Sequence, residues 1–130
     1  MKISLYAPVE YWVCEPELRE KITGGCGPGG IGDLFIPDTM YGLNVKPACE
    51  IHDFYYGPMM PATIECKEEA DRVFLNNLIR IIEAKTQSNL LAALRKRRAR
   101  TYYHAVKTFG GPAFWKNKNL SENFKFVEIK

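Results

Sequence analysis

A chain of 130 residues with 46% hydrophobic content is one domain by size and can bury a real core without relying on cross-links alone. Its formal net charge of +3 is too small for dedicated nucleic-acid binding by bulk charge. No run approaches the roughly 18 apolar residues of a membrane-spanning helix.

Residues 1–15 do not read as a signal peptide, because Pro8 and Glu10 interrupt any apolar stretch that Ile3 and Leu5 begin. Tyr11, Trp12 and Val13 are expected to pack onto the helices, given the area that aromatic side chains bury. Pro16 suits the first turn of a helix that runs to about Ile22 and is ended by Thr23 and Gly24, with Leu18 and Ile22 toward the core. The next stretch, residues 24–33 (GGCGPGGIGD), is too rich in glycine for a helix or strand. Gly27, Gly29 and Gly32 match the dinucleotide fingerprint formally, but a helical segment precedes them where a strand is required. A phosphate-binding P-loop would need Lys followed by Ser or Thr, and neither is there. What remains is a structural turn, or a loop of carbonyls around a hard cation, with calcium the best fit.

Residues 33–47 read as irregular, with Leu34, Phe35, Ile36 and Leu43 covering the helix that follows or lining a lipid channel. That helix starts near Pro47 and stops at Gly57-Pro58. It places Cys49 three positions before His52 and four before Asp53, with Tyr56 one turn after His52. Adjacent helical residues point about 100° apart, so His52 and Asp53 can each serve a different partner. Thr63 caps a longer helix with Glu65, Glu68 and Glu69 in its first turns. Cys66, Ala70, Val73, Asn77 and Ile81, with Phe74, form one stripe along it. Asp71 lies in a second row with Leu75, Leu78 and Ile82. An acid in an apolar row needs a partner, and the short link before this helix makes it antiparallel to the first, so that Asp71 can face His52. A break at residues 86–89 leads to a further helix over 90–108. Its Arg95, Lys96, Arg97, Arg98 and Arg100 read as a solvated face, or as a patch for anionic headgroups or nucleic acid. The fold class is all-α, with a core over about 16–109, an arm over 1–15 and a tail over 110–130.

The loop Cys26-Gly27-Pro28-Gly29-Gly30, followed by Cys49-x-x-His52-Asp53-x-x-Tyr56, resembles the secreted phospholipase A2 superfamily, whose loop reads C-G-x-G-G and whose helix reads C-x-x-H-D-x-x-Y. The likeness covers residues 22–57 and is specific in order and spacing. Ala70-Asp71-Arg72 resembles the point where the family carries the aspartate that orients its histidine. Ala48, Tyr55 and Ala70 stand where many members have cysteines. The link over 57–63 is too short for the long β-hairpin of the larger relatives, so the resemblance is to the small helical branch of prokaryotic and fungal type.

The resemblance implies calcium-dependent hydrolysis of the sn-2 acyl ester of glycerophospholipids at a membrane or micelle surface. His52 would take a proton from the attacking water, while Asp71, helped by the Tyr56 hydroxyl, fixes the imidazole tautomer. Ca2+ would sit on the carbonyls of Gly25, Gly27 and Gly29 and on the Asp53 carboxylate, with the Gly27 amide as an oxyanion donor. A Cys26–Cys49 disulfide is expected, with Cys14 and Cys66 not needed for the fold. Two other classes stay open. One is a catalytically silent phospholipase-like module that binds lipid or metal. The other is a structural zinc domain built on Cys26, Cys49 and His52 with Cys14 or Cys66, for which the spacing is a weak signal.

Overall fold

A proline and a capping threonine start the helices that carry the site. The computed structural model describes residues 3–22 and 39–119. In these the elements run α1 (Val9–Val13), α2 (Pro16–Ile22), β1 (Thr39–Met40), β2 (Leu43–Asn44), α3 (Lys46–Tyr56), α4 (Ile64–Lys85), α5 (Asn89–Phe109) and α6 (Gly111–Asn119). The protein is mainly helical, as expected. Pro47 lies in the first turn of α3, where its missing amide is not needed. The Thr63 hydroxyl accepts from the Cys66 amide at 3.1 Å and caps α4. Ser88 caps α5 in the same way.

The helices α3 and α4 are antiparallel, since Tyr55 meets Cys66 while the earlier His52 meets the later Asp71 and Phe74. Ala48, Phe54, Phe74, Leu78 and Ile82 are fully buried in the core the two helices share with α5. The core reaches past both ends of the expected 16–109 span. Tyr11 packs edge-on against Phe54 at 5.3 Å, and Phe114 of α6 packs against Tyr56 at 5.0 Å. The N-terminal arm is held by Asn77, whose buried amide bonds both the N–H and the carbonyl of Tyr6 at 2.8 Å. That pairing explains a polar residue in the apolar stripe of α4.

Three expectations are corrected here. Of Tyr11, Trp12 and Val13, only Tyr11 packs: Trp12 is 59% exposed and Val13 74%. A helix of five residues has room to bury one face only, and Tyr11 takes it. Leu18, expected in the core, is exposed. Within the stretch read as irregular, β1 and β2 pair antiparallel, Thr39 with Asn44 and Met40 with Leu43, across a two-residue turn. Tyr41 and Gly42 both take positive φ there, 49° and 80°, as the tightest hairpin turns demand. Leu34, Phe35 and Ile36 lie outside the described residues.

A tyrosine in the left-handed region is uncommon, and α5 holds it there. Arg95 is buried and donates to the carbonyls of Met40 (3.2 Å) and Tyr41 (2.7 Å) and to the Thr86 hydroxyl (2.8 Å). Arg98 bonds the Tyr41 hydroxyl at 3.2 Å. The charge run is therefore not one surface, because Arg95 is a bolt between α5 and the hairpin. Arg95→Gln is expected to destabilise the fold by about 2 kcal/mol or more, since it leaves buried carbonyls unpaired. Arg97→Gln and Arg100→Gln, at exposed sites, should stay within about 0.5 kcal/mol of the parent. Urea unfolding of the three variants separates the classes, and equal midpoints would show that Arg95 bolts nothing.

Candidate active site

Three side chains from two helices meet on Asp71. From α3, the His52 ring and the Tyr56 hydroxyl reach the same oxygen, Oδ1, at 2.8 and 2.7 Å. From α4 itself, Lys67 donates to Oδ2 at 2.7 Å, one turn before Asp71. The α3 residues are four apart and so lie on one face, which is why both can address a single carboxylate across the helix pair.

His52 is 0% exposed, and its ring lies between Tyr56 and Phe74, with centroids 4.3 and 4.7 Å away. A carboxylate oxygen can only accept, so the Nε2 facing Asp71 carries the ring proton of the neutral imidazole. Nδ1 is then the lone-pair nitrogen. It is buried and, among the described residues, has no hydrogen-bond partner. A buried basic nitrogen left open, on a ring whose other nitrogen is fixed by a carboxylate, is the arrangement a general base requires.

Burial lowers the His52 pKa from its ordinary value, and the bond to Asp71 recovers only part of that shift. For Asp71, burial pushes the carboxyl up, but the bonds from His52, Lys67 and Tyr56 together outweigh it and hold its pKa below the usual carboxylate value. The result is an ionised Asp71 beside a neutral His52, the pair of states that base catalysis needs. Burial, with Asp71 beside it, raises the Tyr56 pKa far above that of an ordinary phenol, so Tyr56 stays a donor. Gly110 makes room for this hydroxyl: a Cβ there would meet it at 2.8 Å and would also run into the Val106 carbonyl.

Neither a family model, nor a curated protein, nor a solved structure matches this chain.

His52, Tyr56 and Asp71 are thus brought together. Asp53 is buried beside His52, at 3% exposure, on the next position of α3. The glycine loop, with Gly25, Cys26, Gly27 and Gly29, lies outside the described residues, so the expected calcium shell is represented here by Asp53 alone. Among the described residues no group of three or more His, Cys, Asp and Glu side chains converges as a metal site. Asp53 nevertheless suits a hard cation. It is an oxygen donor, and a carboxylate this buried needs charge nearby. The zinc arrangement gains no support, because Cys49, His52 and either Cys14 or Cys66 do not converge as a group of three ligands among the described residues. Cys14 and Cys66 are free thiols, while the fully buried Cys49 is not among them. Lys67 is the site residue that motif reading misses. Its only sequence signal is its place four residues before Asp71, where a cation can pair with an acid along one helix.

Proposed function

We propose that this protein is a calcium-dependent hydrolase of the phospholipase A2 type, cleaving the sn-2 ester of glycerophospholipids. The observation that carries the proposal is the buried His52, with Nε2 tied to ionised Asp71 and Nδ1 open among the described residues. The loop and helix motifs, in their order and spacing, give this base its substrate class.

In this reading the Nδ1 of His52 removes a proton from the water that attacks the ester carbonyl. Asp71 holds the Nε2 proton and stabilises the imidazolium as it forms, and Tyr56 donates to the same carboxylate oxygen. Phe74 and Tyr56 keep bulk water from the ring. Asp53 and the carbonyls of Gly25, Gly27 and Gly29 would hold a calcium ion, which when bound supplies Lewis-acid polarisation of the ester and attraction for the phosphate. The Gly27 amide would donate to the developing oxyanion. A Cys26–Cys49 bond would hold the loop against the face that carries Asp53. Approach to anionic lipid falls to the exposed Arg97, Arg98 and Arg100, with Trp12 open to the lipid–water boundary. No helix among the described residues is long and apolar enough to cross a membrane.

The deciding experiment is fatty-acid release from mixed phospholipid vesicles across a calcium titration, with His52→Gln as the control. Release should require calcium and vanish in the variant. Calcium and vesicle binding without release would make the protein a silent lipid-binding module instead.

A further inference from the structure

We infer that Lys67 is a positioning residue: it fixes the plane of the Asp71 carboxylate, and through it the tautomer of His52. The inference rests on the catalytic reading of His52, but its first test does not need turnover.

An aspartate carboxylate turns about a soft terminal torsion with broad preferences. His52 and Tyr56 both hold Oδ1, so their bonds alone leave the carboxylate free to swing its second oxygen about that shared point. Lys67 removes this freedom by holding Oδ2 at 2.7 Å. Lys67 is in turn anchored outside its own helix. Its ammonium also donates to the carbonyl of Val106 at 3.1 Å and to that of Lys107 at 3.5 Å. These belong to the last turn of α5, where the helix dipole favours a cation; the Val106 carbonyl also accepts from the Gly110 amide at 2.9 Å. Three donors thus meet three acceptors, and the grip on Asp71 is braced against a second helix.

Charge gives the same answer. Asp71 is 2% exposed, and a carboxylate this buried needs a positive charge beside it. Lys67, Arg72 and Lys107 line one cavity of about 550 Å³ that also exposes Asp71, and of these three cations only Lys67 is bonded to it. Tyr56 cannot substitute, since it brings a proton but no charge. The cavity is lined by neither His52 nor Asp53.

The test compares wild type with Lys67→Met, Lys67→Gln and Lys67→Arg. Nitrogen-detected NMR of the His52 ring, assigned against His52→Gln, reads the tautomer directly. Wild type should show one tautomer with the proton on Nε2. Lys67→Met and Lys67→Gln should mix the two, and Lys67→Arg, which keeps the charge, should restore the single form. Turnover is the second arm: kcat should fall about tenfold in Lys67→Met with KM unchanged. In an Asp71→Asn background the same change should cost nothing further. A His52 ring spectrum unmoved by both neutral variants, or a loss of kcat that persists beside Asp71→Asn, would overturn the inference and leave Lys67 a bolt between α4 and α5. If wild type releases no fatty acid at all, the phospholipase reading fails, while the ring spectra still decide the role of Lys67.

Discussion

Asp53→Asn is expected to abolish calcium binding and turnover together, whereas His52→Gln abolishes turnover and leaves calcium binding intact. The two residues are neighbours on α3, yet their side chains leave the helix about 100° apart and serve different partners. Asp53 is the only charged ligand in the proposed shell, and neutral carbonyls alone hold a divalent ion weakly. His52 touches no part of that shell in the proposed scheme. Removing a general base typically costs about 10²–10⁴-fold in rate, so residual activity in His52→Gln should be close to background. Calorimetric calcium binding beside vesicle hydrolysis reads both effects. Should His52→Gln stay active, or Asp53→Asn bind calcium normally, the mechanism is wrong.

The pH dependence of turnover follows from the same base. Only neutral His52 can accept a proton, and burial lowers its pKa below the ordinary 6.5. Activity should therefore persist as pH drops below 6.5 and decline only through the lowered value. Stability moves over a related range. The unfolded histidine takes up its proton first, so the fold has its full stability above about 6.5 and loses it as pH falls toward the folded value.

Much of this site is legible in the sequence because it is built from local rules. Thr63, Pro16 and Pro47 mark helix starts that depend on only a few neighbouring residues. Asp71 betrays its partner by standing in an apolar row, and the short link before α4 fixes the antiparallel pairing that brings it to His52. The long-range clamps are not legible in this way. Arg95 reaches the hairpin across more than fifty residues, and it binds backbone carbonyls, which look the same at every position. Asn77 and Tyr6 meet through main-chain groups in the same manner. The outward turn of Trp12 was hidden for a different reason: composition gives its apolar area, but not which face of so short a helix meets the core.

Lys118 is the clamp with the largest expected effect on stability. It stands in a Lys- and Asn-rich segment that reads as an outlying tail, yet it is 2% exposed and, among the described residues, has no carboxylate partner. Its ammonium donates to the carbonyls of Tyr55 at 2.9 Å, Met60 at 2.8 Å and Gly57. These carbonyls close the end of α3 and the link to α4, one turn beyond His52, so the contact ties α6 to the frame of the site. Lys118→Met keeps the stem but leaves the three acceptors without their donor, a loss of about 3 kcal/mol. The lysine also leaves a signature in the pH dependence. Burial drives its pKa down to about 8, against a small upward pull from Cys66. Between about pH 8 and the ordinary lysine value near 10.4, the unfolded chain holds a proton that the folded chain has released. The stability of the wild type should therefore rise with pH across that window relative to Lys118→Met. Urea unfolding of both proteins below and within the window measures the difference. A constant gap between them would mean that Lys118 keeps an ordinary pKa, and equal stability throughout would mean that the three carbonyls do not depend on it.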